Sequence, residues 1–219
     1  MQDRISRIVI VGGGSAGWLT AGVIAAEHRV DPQAPFELVL IESPDVPTIG
    51  VGEGTWPSMR TTLQRIGLSE TEFIRECDAS FKQGTFFRHW MTGKGDTYTH
   101  PFTVPIDYAE INLAPHWLAL RDAPPFADAV TPQTALFADC LAPKQITTPE
   151  YAFVVNYGYH LDAGKFAELL RRHCTEKLGV RHVKANVSQI NPAENGDIDS
   201  VTTDRAGDIA GDLFIDCTG

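Results

Sequence analysis

The segment Arg7-Ile8-Val9-Ile10-Val11-Gly12-Gly13-Gly14-Ser15-Ala16-Gly17-Trp18 leads from a β-branched run through consecutive glycines into a helix start. Its first five residues read as a short buried strand, because Val and Ile pack well on a pleated surface. Ser15 to about His28 reads as a helix, with Trp18, Leu19, Val23 and Ile24 apolar at helical spacing. Asp31-Pro32-Gln33-Ala34-Pro35 is a loop, and Phe36 to Ile41 is a second strand that ends at Glu42. Strand, helix and strand in this order make a βαβ unit, which implies a parallel sheet with flanking helices. The uncharged run from Ile8 to Ala26, preceded by Arg4 and Arg7, has the superficial form of a signal peptide or membrane helix. Glycines at 12, 13, 14, 17 and 22 make it a poor spanning helix and a good strand–turn–helix unit.

In that context Gly12-x-Gly14-x-x-Gly17 is a dinucleotide-binding fingerprint. The first glycine permits the tight turn, the second lets backbone approach a pyrophosphate, and the third lets helix and strand pack closely. Ser15 and Ala16 open the helix, whose N–H groups and partial positive charge suit phosphates. Glu42 ends the second strand, where an acid binds a ribose hydroxyl pair. A carboxylate there prefers a free 2′-hydroxyl, so FAD or NAD fits better than NADP. A purely structural glycine turn is the competing reading, and it leaves the coincidence with the acid unexplained. A fingerprint near residue 1 with a distant segment returning to the sheet is the usual layout of a flavoprotein. Asp212-Leu213-Phe214-Ile215-Asp216-Cys217-Thr218-Gly219 is the expected returning strand, placing Asp216 and Gly219 near the cofactor. Plain strand burial explains those residues equally well.

Further along, Ser43 to Gly54 is a Pro- and Gly-rich loop. Pro57 suits the first turn of a helix to Ile66, stopped by Gly67. Ser69-Glu70-Thr71-Glu72 is a capping box for a helix to about Cys77. Ser80 to Phe87 reads as one strand, Gly93 to Pro105 as irregular, and Pro115 to about Lys144 as helix broken by prolines. Asp162 caps a helix to about Leu178 that carries Phe166, Leu169 and Leu170 on one face, with Gly179 as the stop. Val180 to Ile190 and Asp197 to Thr203 are strands around the turn at 191–196. The expected class is α/β: a Rossmann-like FAD-binding fold plus a helical or irregular substrate-side insertion. The expected division is an FAD-binding region over 1–90, the insertion over 91–150 and the returning FAD-binding part over 151–219. A strand followed by Thr-Gly normally turns into a helix covering the sheet, so the C-terminal part of this fold reads as missing.

At roughly 150 residues per domain, 219 residues make one to two domains. Lys+Arg of 18 against Asp+Glu of 28 gives a net charge of −10, which argues against nucleic acid or anionic membrane as a partner. The four cysteines are far apart, and the seven histidines show no metal spacing. We therefore expect no metal site and no disulfide framework, in a reducing cytoplasm.

Several segments together resemble the flavin-dependent tryptophan halogenases. They are Val11-Gly12-Gly13-Gly14-Ser15-Ala16-Gly17-Trp18, Ile49-Gly50-Val51-Gly52-Glu53-Gly54-Thr55, Phe81-Lys82-Gln83-Gly84 and Thr99-His100-Pro101-Phe102. His160-Leu161-Asp162-Ala163-Gly164-Lys165-Phe166 and Asp216-Cys217-Thr218-Gly219 complete the series, in the family's order. The resemblance implies that a separate flavin reductase supplies reduced FAD. Oxygen and a halide, chloride or bromide, then give hypohalous acid, which reaches a lysine beside a small aromatic substrate. Lys82 matches that lysine. Ile49, Gly50, Val51, Gly52, Glu53 and Gly54 match the flavin strap. His100, Pro101 and Phe102 match the segment flanking the substrate ring, and Val187 matches a position that contacts the adenine. The glutamate partner of the lysine and the halide site would lie beyond Gly219. The resemblance leaves the substrate's identity, the halide preference and homodimer formation open.

By residue type alone, Lys82 reads as a solvated lysine on an edge strand. As one strand, Ser80, Lys82, Gly84 and Phe86 share a face, so Gly84 leaves space beside the amine and Phe86 makes its surroundings apolar. Such surroundings favour a neutral amine able to form a haloamine, whereas a protonated amine polarises hypohalous acid by hydrogen bonding. His100 and Phe102, two apart in an extended segment, are expected to face the same way, which the resemblance implies serves to flank an electron-rich ring; by residue type alone, a packed loop aromatic and a solvated histidine fit at least as well. Trp56 beside Pro57 reads as a helix-start anchor or as part of a substrate wall, with the anchor favoured. The alternatives are a flavin-dependent aromatic monooxygenase, which needs no such lysine, and a non-catalytic FAD-binding fragment.

Overall fold

The computed structural model describes residues 5–28, 36–47 and 54–218. The chain divides into two compact units. The first comprises 1–52, 62–78 and 161–219, and the second comprises 53–61 and 79–160. Residues 79–90 and 151–160 thus group with the second unit, and Lys82 with them.

In the first unit β1 (Arg7–Val11), α1 (Ser15–His28) and β2 (Glu37–Glu42) form the expected βαβ unit. β1 and β2 run parallel with Val9 opposite Val39. β11 (Leu213–Asp216) returns along the other side of β1, also parallel, with Val11 opposite Asp216. β7 (Arg181–Lys184) lies beside β2, so the order is β11-β1-β2-β7. Val9, Ile10, Leu38, Val39 and Leu40 are fully buried, as expected for parallel strands covered on both faces. α7 (Ala163–Glu176) packs on α1, burying Phe166, Leu169, Leu170 and Cys174. On the other face, Val201 and Ile209 close over Val9, Val39 and Ile41. They come from an antiparallel sheet of β8 (Val187–Pro192), β9 (Ile198–Thr203) and β10 (Gly207–Ala210).

The stretch expected as one strand from Val180 to Ile190 is therefore two, in different sheets. Ala185 N–H donates to the Glu42 carbonyl at 3.0 Å, and Asn186 N–H donates to Asp204 Oδ1 at 2.9 Å. These two bonds turn the chain out of the parallel sheet. The helix expected after Pro57 is α2 (Ser58–Arg65), and the expected caps are in place. Ser69 Oγ accepts from Glu72 N–H at the start of α3 (Glu70–Glu76), and Asp162 Oδ1 accepts from Lys165 N–H at 2.9 Å at the start of α7. Asp162→Ala removes that acceptor, and the expected loss is about 1 kcal/mol of stability, read by urea denaturation.

The second unit departs further from expectation. The run Ser80 to Phe87 breaks at Gln83 into β3 (Ser80–Lys82) and β4 (Gly84–Arg88). β3 pairs antiparallel with β6 (Gly158–His160), while β4 pairs with β5 (Thr97–Pro101), which lies inside the stretch expected to be irregular. The break has a cause: Phe102 N–H donates to the Gln83 carbonyl at 3.0 Å. Helices α4 (Ala114–Leu118), α5 (Phe126–Val130) and α6 (Gln133–Ala138) are short, and Pro125 and Pro132 stand at the starts of the last two. Arg60 is buried, donating to the carbonyls of Tyr157 at 3.0 Å and Tyr151 at 2.9 Å, with the Phe153 and Tyr157 rings over its guanidinium. Among the described residues no helix is long and apolar enough to cross a membrane, and no group of three His, Cys, Asp or Glu is placed to hold a metal.

Candidate nucleotide cradle and lysine site

The cradle is built where β1 meets α1. Gly12 has φ of +119°, and a Cβ there would stand 2.2 Å from the Cys217 carbonyl oxygen, so only glycine closes this turn. A Cβ on Gly17 would stand 1.9 Å from the Gly12 carbonyl oxygen, which locks α1 against the turn. Gly14 is different: a Cβ there would meet nothing within 4 Å. The backbone at the helix start therefore borders open space, which is what a phosphate at that N-terminus needs. Ser15 and Ala16 are the first residues of α1. Cys217 N–H donates to the Val11 carbonyl at 2.7 Å and brings the end of β11 against the glycines. Asp216 is exposed and accepts from the Thr218 hydroxyl at 2.7 Å and the Thr218 N–H at 2.9 Å. Those bonds, the hydroxyl first, hold its carboxyl below the usual carboxylate range.

Glu42 lies under this turn, so close that a Cβ on Gly13 would fall 2.2 Å from its Cγ. Its Oε2 stands 2.7 Å from Nε2 of His182 on β7, with the two side chains 25% and 13% exposed. The indole of Trp18 meets the His182 ring edge-on at 5.0 Å. Burial pushes the His182 ring below the usual histidine range, and Lys184 and Arg171 push the same way against the pull of Glu42. His182 escaped the sequence reading because nothing local to it signals a partner; it meets Glu42 only through the register of two strands. Val187, matched to an adenine contact, is partly buried and packs against the apolar cluster around Val9 and Val201. Ile49, Gly50, Val51, Gly52, Glu53 and Gly219 lie outside the described residues.

The Lys82 amine is surrounded differently from expectation. Its Nζ lies 5.6 Å from the Trp56 ring centroid and 5.5 Å from that of Phe102, and those rings are 5.4 Å apart. Gly54 bridges to His160, and a Cβ on Gly54 would stand 3.2 Å from Lys82 Nζ and 3.5 Å from His160 Nδ1. Gly54, Lys82, Trp56, Phe102 and His160 therefore converge. Gly84 does not border the amine: it makes room for β5, where a Cβ would stand 2.6 Å from the His100 carbonyl oxygen. Phe86 is 51% exposed, because the break at Gln83 starts a separate strand. Trp56 is 58% exposed, so it is a wall beside the amine and not a buried helix anchor. His100 is exposed while Phe102 is buried, because β5 ends at Pro101 and the alternation does not carry to 102. His160, which the sequence marks only within a family segment, reaches the amine because β6 pairs with β3, a pairing the local sequence does not signal. The amine over two rings carries a cation–π attraction of about 0.5–1 kcal/mol per ring at such partly exposed sites.

A glycine-turned βαβ cradle on a parallel sheet, with an acid at the end of the second strand, defines the dinucleotide-binding α/β class. Within that class the chain belongs to the tryptophan halogenase family, whose model matches residues 7–219. It is 34% identical over its whole length to tryptophan 7-halogenase RebH of Lentzea aerocolonigenes, covering 43% of that protein. A tryptophan halogenase structure from Shewanella frigidimarina is 53% identical over the whole chain, with a TM-score of 0.93 and 43% of that protein covered. BrvH, a flavin-dependent halogenase from Brevundimonas, is 34% identical over 99% of the chain with a TM-score of 0.80, and 43% of it is covered. The chain thus spans less than half the length of these relatives.

Proposed function

We propose that the protein carrying this chain halogenates an electron-rich aromatic, tryptophan or another indole, using reduced FAD, oxygen and halide. One observation carries the reading: the Lys82 amine stands over the rings of Trp56 and Phe102, beside Gly54. The names of its relatives support it. Gly12, Gly14, Gly17, Ser15 and Ala16 hold the pyrophosphate, Glu42 the ribose, and Val187 the adenine side. Asp216, Gly219 and Ile49 to Gly54 border the flavin, and His100, Pro101 and Phe102 flank the aromatic substrate.

Reduced FAD supplies the two electrons that, with halide, turn oxygen into hypohalous acid and water. An N–H of Lys82 donates to the hypohalous oxygen and polarises its bond to the halogen. The substrate ring attacks the halogen, a carbon–halogen bond forms, and the ring proton leaves with the hydroxide as water. The apolar rings around the amine limit competing hydrolysis. A separate reductase and a cytoplasmic setting fit this chemistry.

The test is a product assay with the whole protein, FAD, a reductase and tryptophan or indole, read by mass spectrometry with and without halide. Halogenated product that needs halide is the expected result. Hydroxylated product independent of halide would establish a monooxygenase instead, and flavin binding without turnover a non-catalytic module.

A further inference from the structure

Leu40 of β2 and His182 of β7 are register partners in a parallel sheet. Paired residues point to one face, and alternation puts Glu42 on that face as well. The same face is covered by α1, since a Cβ on Gly17 would stand 3.6 Å from Leu40 Cδ1. Glu42 Oε2 and His182 Nε2 are both shut off from solvent, and among the described residues neither has a hydrogen-bond partner outside their own 2.7 Å approach, in which the ring N–H is poorly aligned. Two buried lone pairs at that distance repel, so a proton stands between them and the ring carries hydrogen on Nε2. Trp18 braces the ring from α1, and Gly13 covers the Glu42 stem from the turn. The charged groups facing this pair are Lys184 on β7 itself and Arg171 on α7.

A carboxylate has two oxygens and about four acceptor positions. One oxygen of Glu42 is committed to His182, which fixes the torsions of a side chain that otherwise rotates freely. We propose that His182 is a positioning residue for the adenosine ribose of the dinucleotide: its Nε2–H holds one oxygen of Glu42 and turns the other toward the ribose hydroxyls. The assignment rests on FAD as the ligand of the cradle.

The whole protein is titrated calorimetrically with FAD and with FAD lacking the adenosine 2′-hydroxyl. Wild type prefers FAD by about tenfold, the scale of one hydrogen bond to a charged group. His182→Phe keeps a ring against Trp18 but has no donor. It weakens FAD binding by about tenfold and erases the preference for the hydroxyl. His182→Gln retains an N–H and stays within about threefold of wild type. Glu42→Gln combined with His182→Phe binds FAD no more weakly than Glu42→Gln alone, because both changes act through one carboxylate. A general structural role would instead lower affinity for both ligands equally and additively. Should His182→Phe fail to fold, His182→Leu takes its place. Wild-type affinity and preference in the donor-less variant overturn the assignment alone, as does additive loss in the double variant. A wild-type protein that binds no FAD overturns both this assignment and the halogenase reading.

Discussion

On the proposed halogenase reading, Lys82→Ala is expected to lower halogenated product by about 100-fold or more, while reduced FAD is still oxidised and peroxide is still released. The expectation follows from where the amine sits. Lys82 is half-buried on the short strand β3, opposite Gly158, and its Nζ is flanked by two aromatic rings. No other cation is seen against those rings among the described contacts. An alanine leaves hypohalous acid without a donor at the point of use, so oxidant is made and lost to water. Lys82→Arg is not a conservative rescue, because a planar guanidinium needs more room than an amine packed so near Gly54 that a Cβ there would stand 3.2 Å from Nζ. The checks are product by mass spectrometry and peroxide by a coupled assay on the same sample. Ordinary halogenation by Lys82→Ala would remove this residue from the chemistry.

The second large effect is on the fold itself. Gly17→Ala is expected to destabilise the protein by about 3 kcal/mol or more and to eliminate FAD binding. The added carbon would stand 1.9 Å from the Gly12 carbonyl oxygen, which is backbone and cannot swing aside. Relief requires α1 to move off β1, and α1 also carries Trp18, Ala21 and Ala25 in the core. Gly14→Ala is the matched control. Its Cβ meets nothing within 4 Å, so the protein stays folded and loses only the space a phosphate would fill. Thermal unfolding and FAD titration of the two variants separate the effects. Equal thermal stability of both would show that the close approach at Gly17 is not needed.

Readings from the sequence succeeded where a few adjacent residues are enough. The βαβ unit around Gly12–Gly17 formed because a β-branched run, a turn and an apolar helix are each specified within about a dozen residues. Ser69 and Asp162 cap their helices through N–H groups three residues on, so their signals are equally local. The returning strand at Leu213–Asp216 pairs with β1 as expected, but it is only partly buried, with Leu213 40% exposed.

The local pattern did not decide which sheet each half of a strand would join. Ser80–Phe87 and Val180–Ile190 look continuous, yet each breaks at a hydrogen bond to a distant segment: Phe102 N–H donates to Gln83, and Glu42 and Asp204 accept from Ala185 and Asn186. Those breaks relocate everything that follows. They turn Phe86 out, bring Gly84 against β5, and leave the surroundings of Lys82 to Trp56, Phe102 and Gly54. The pairing of Glu42 with His182 has the same origin, since residues 140 positions apart meet only when two parallel strands settle their register. Glycine spacing, caps and apolar runs thus set the cradle from the chain alone, because each acts over one turn or one strand. The environment of the lysine and the partner of the acid were settled by the folded molecule, because they depend on backbone hydrogen bonds between segments remote in the chain.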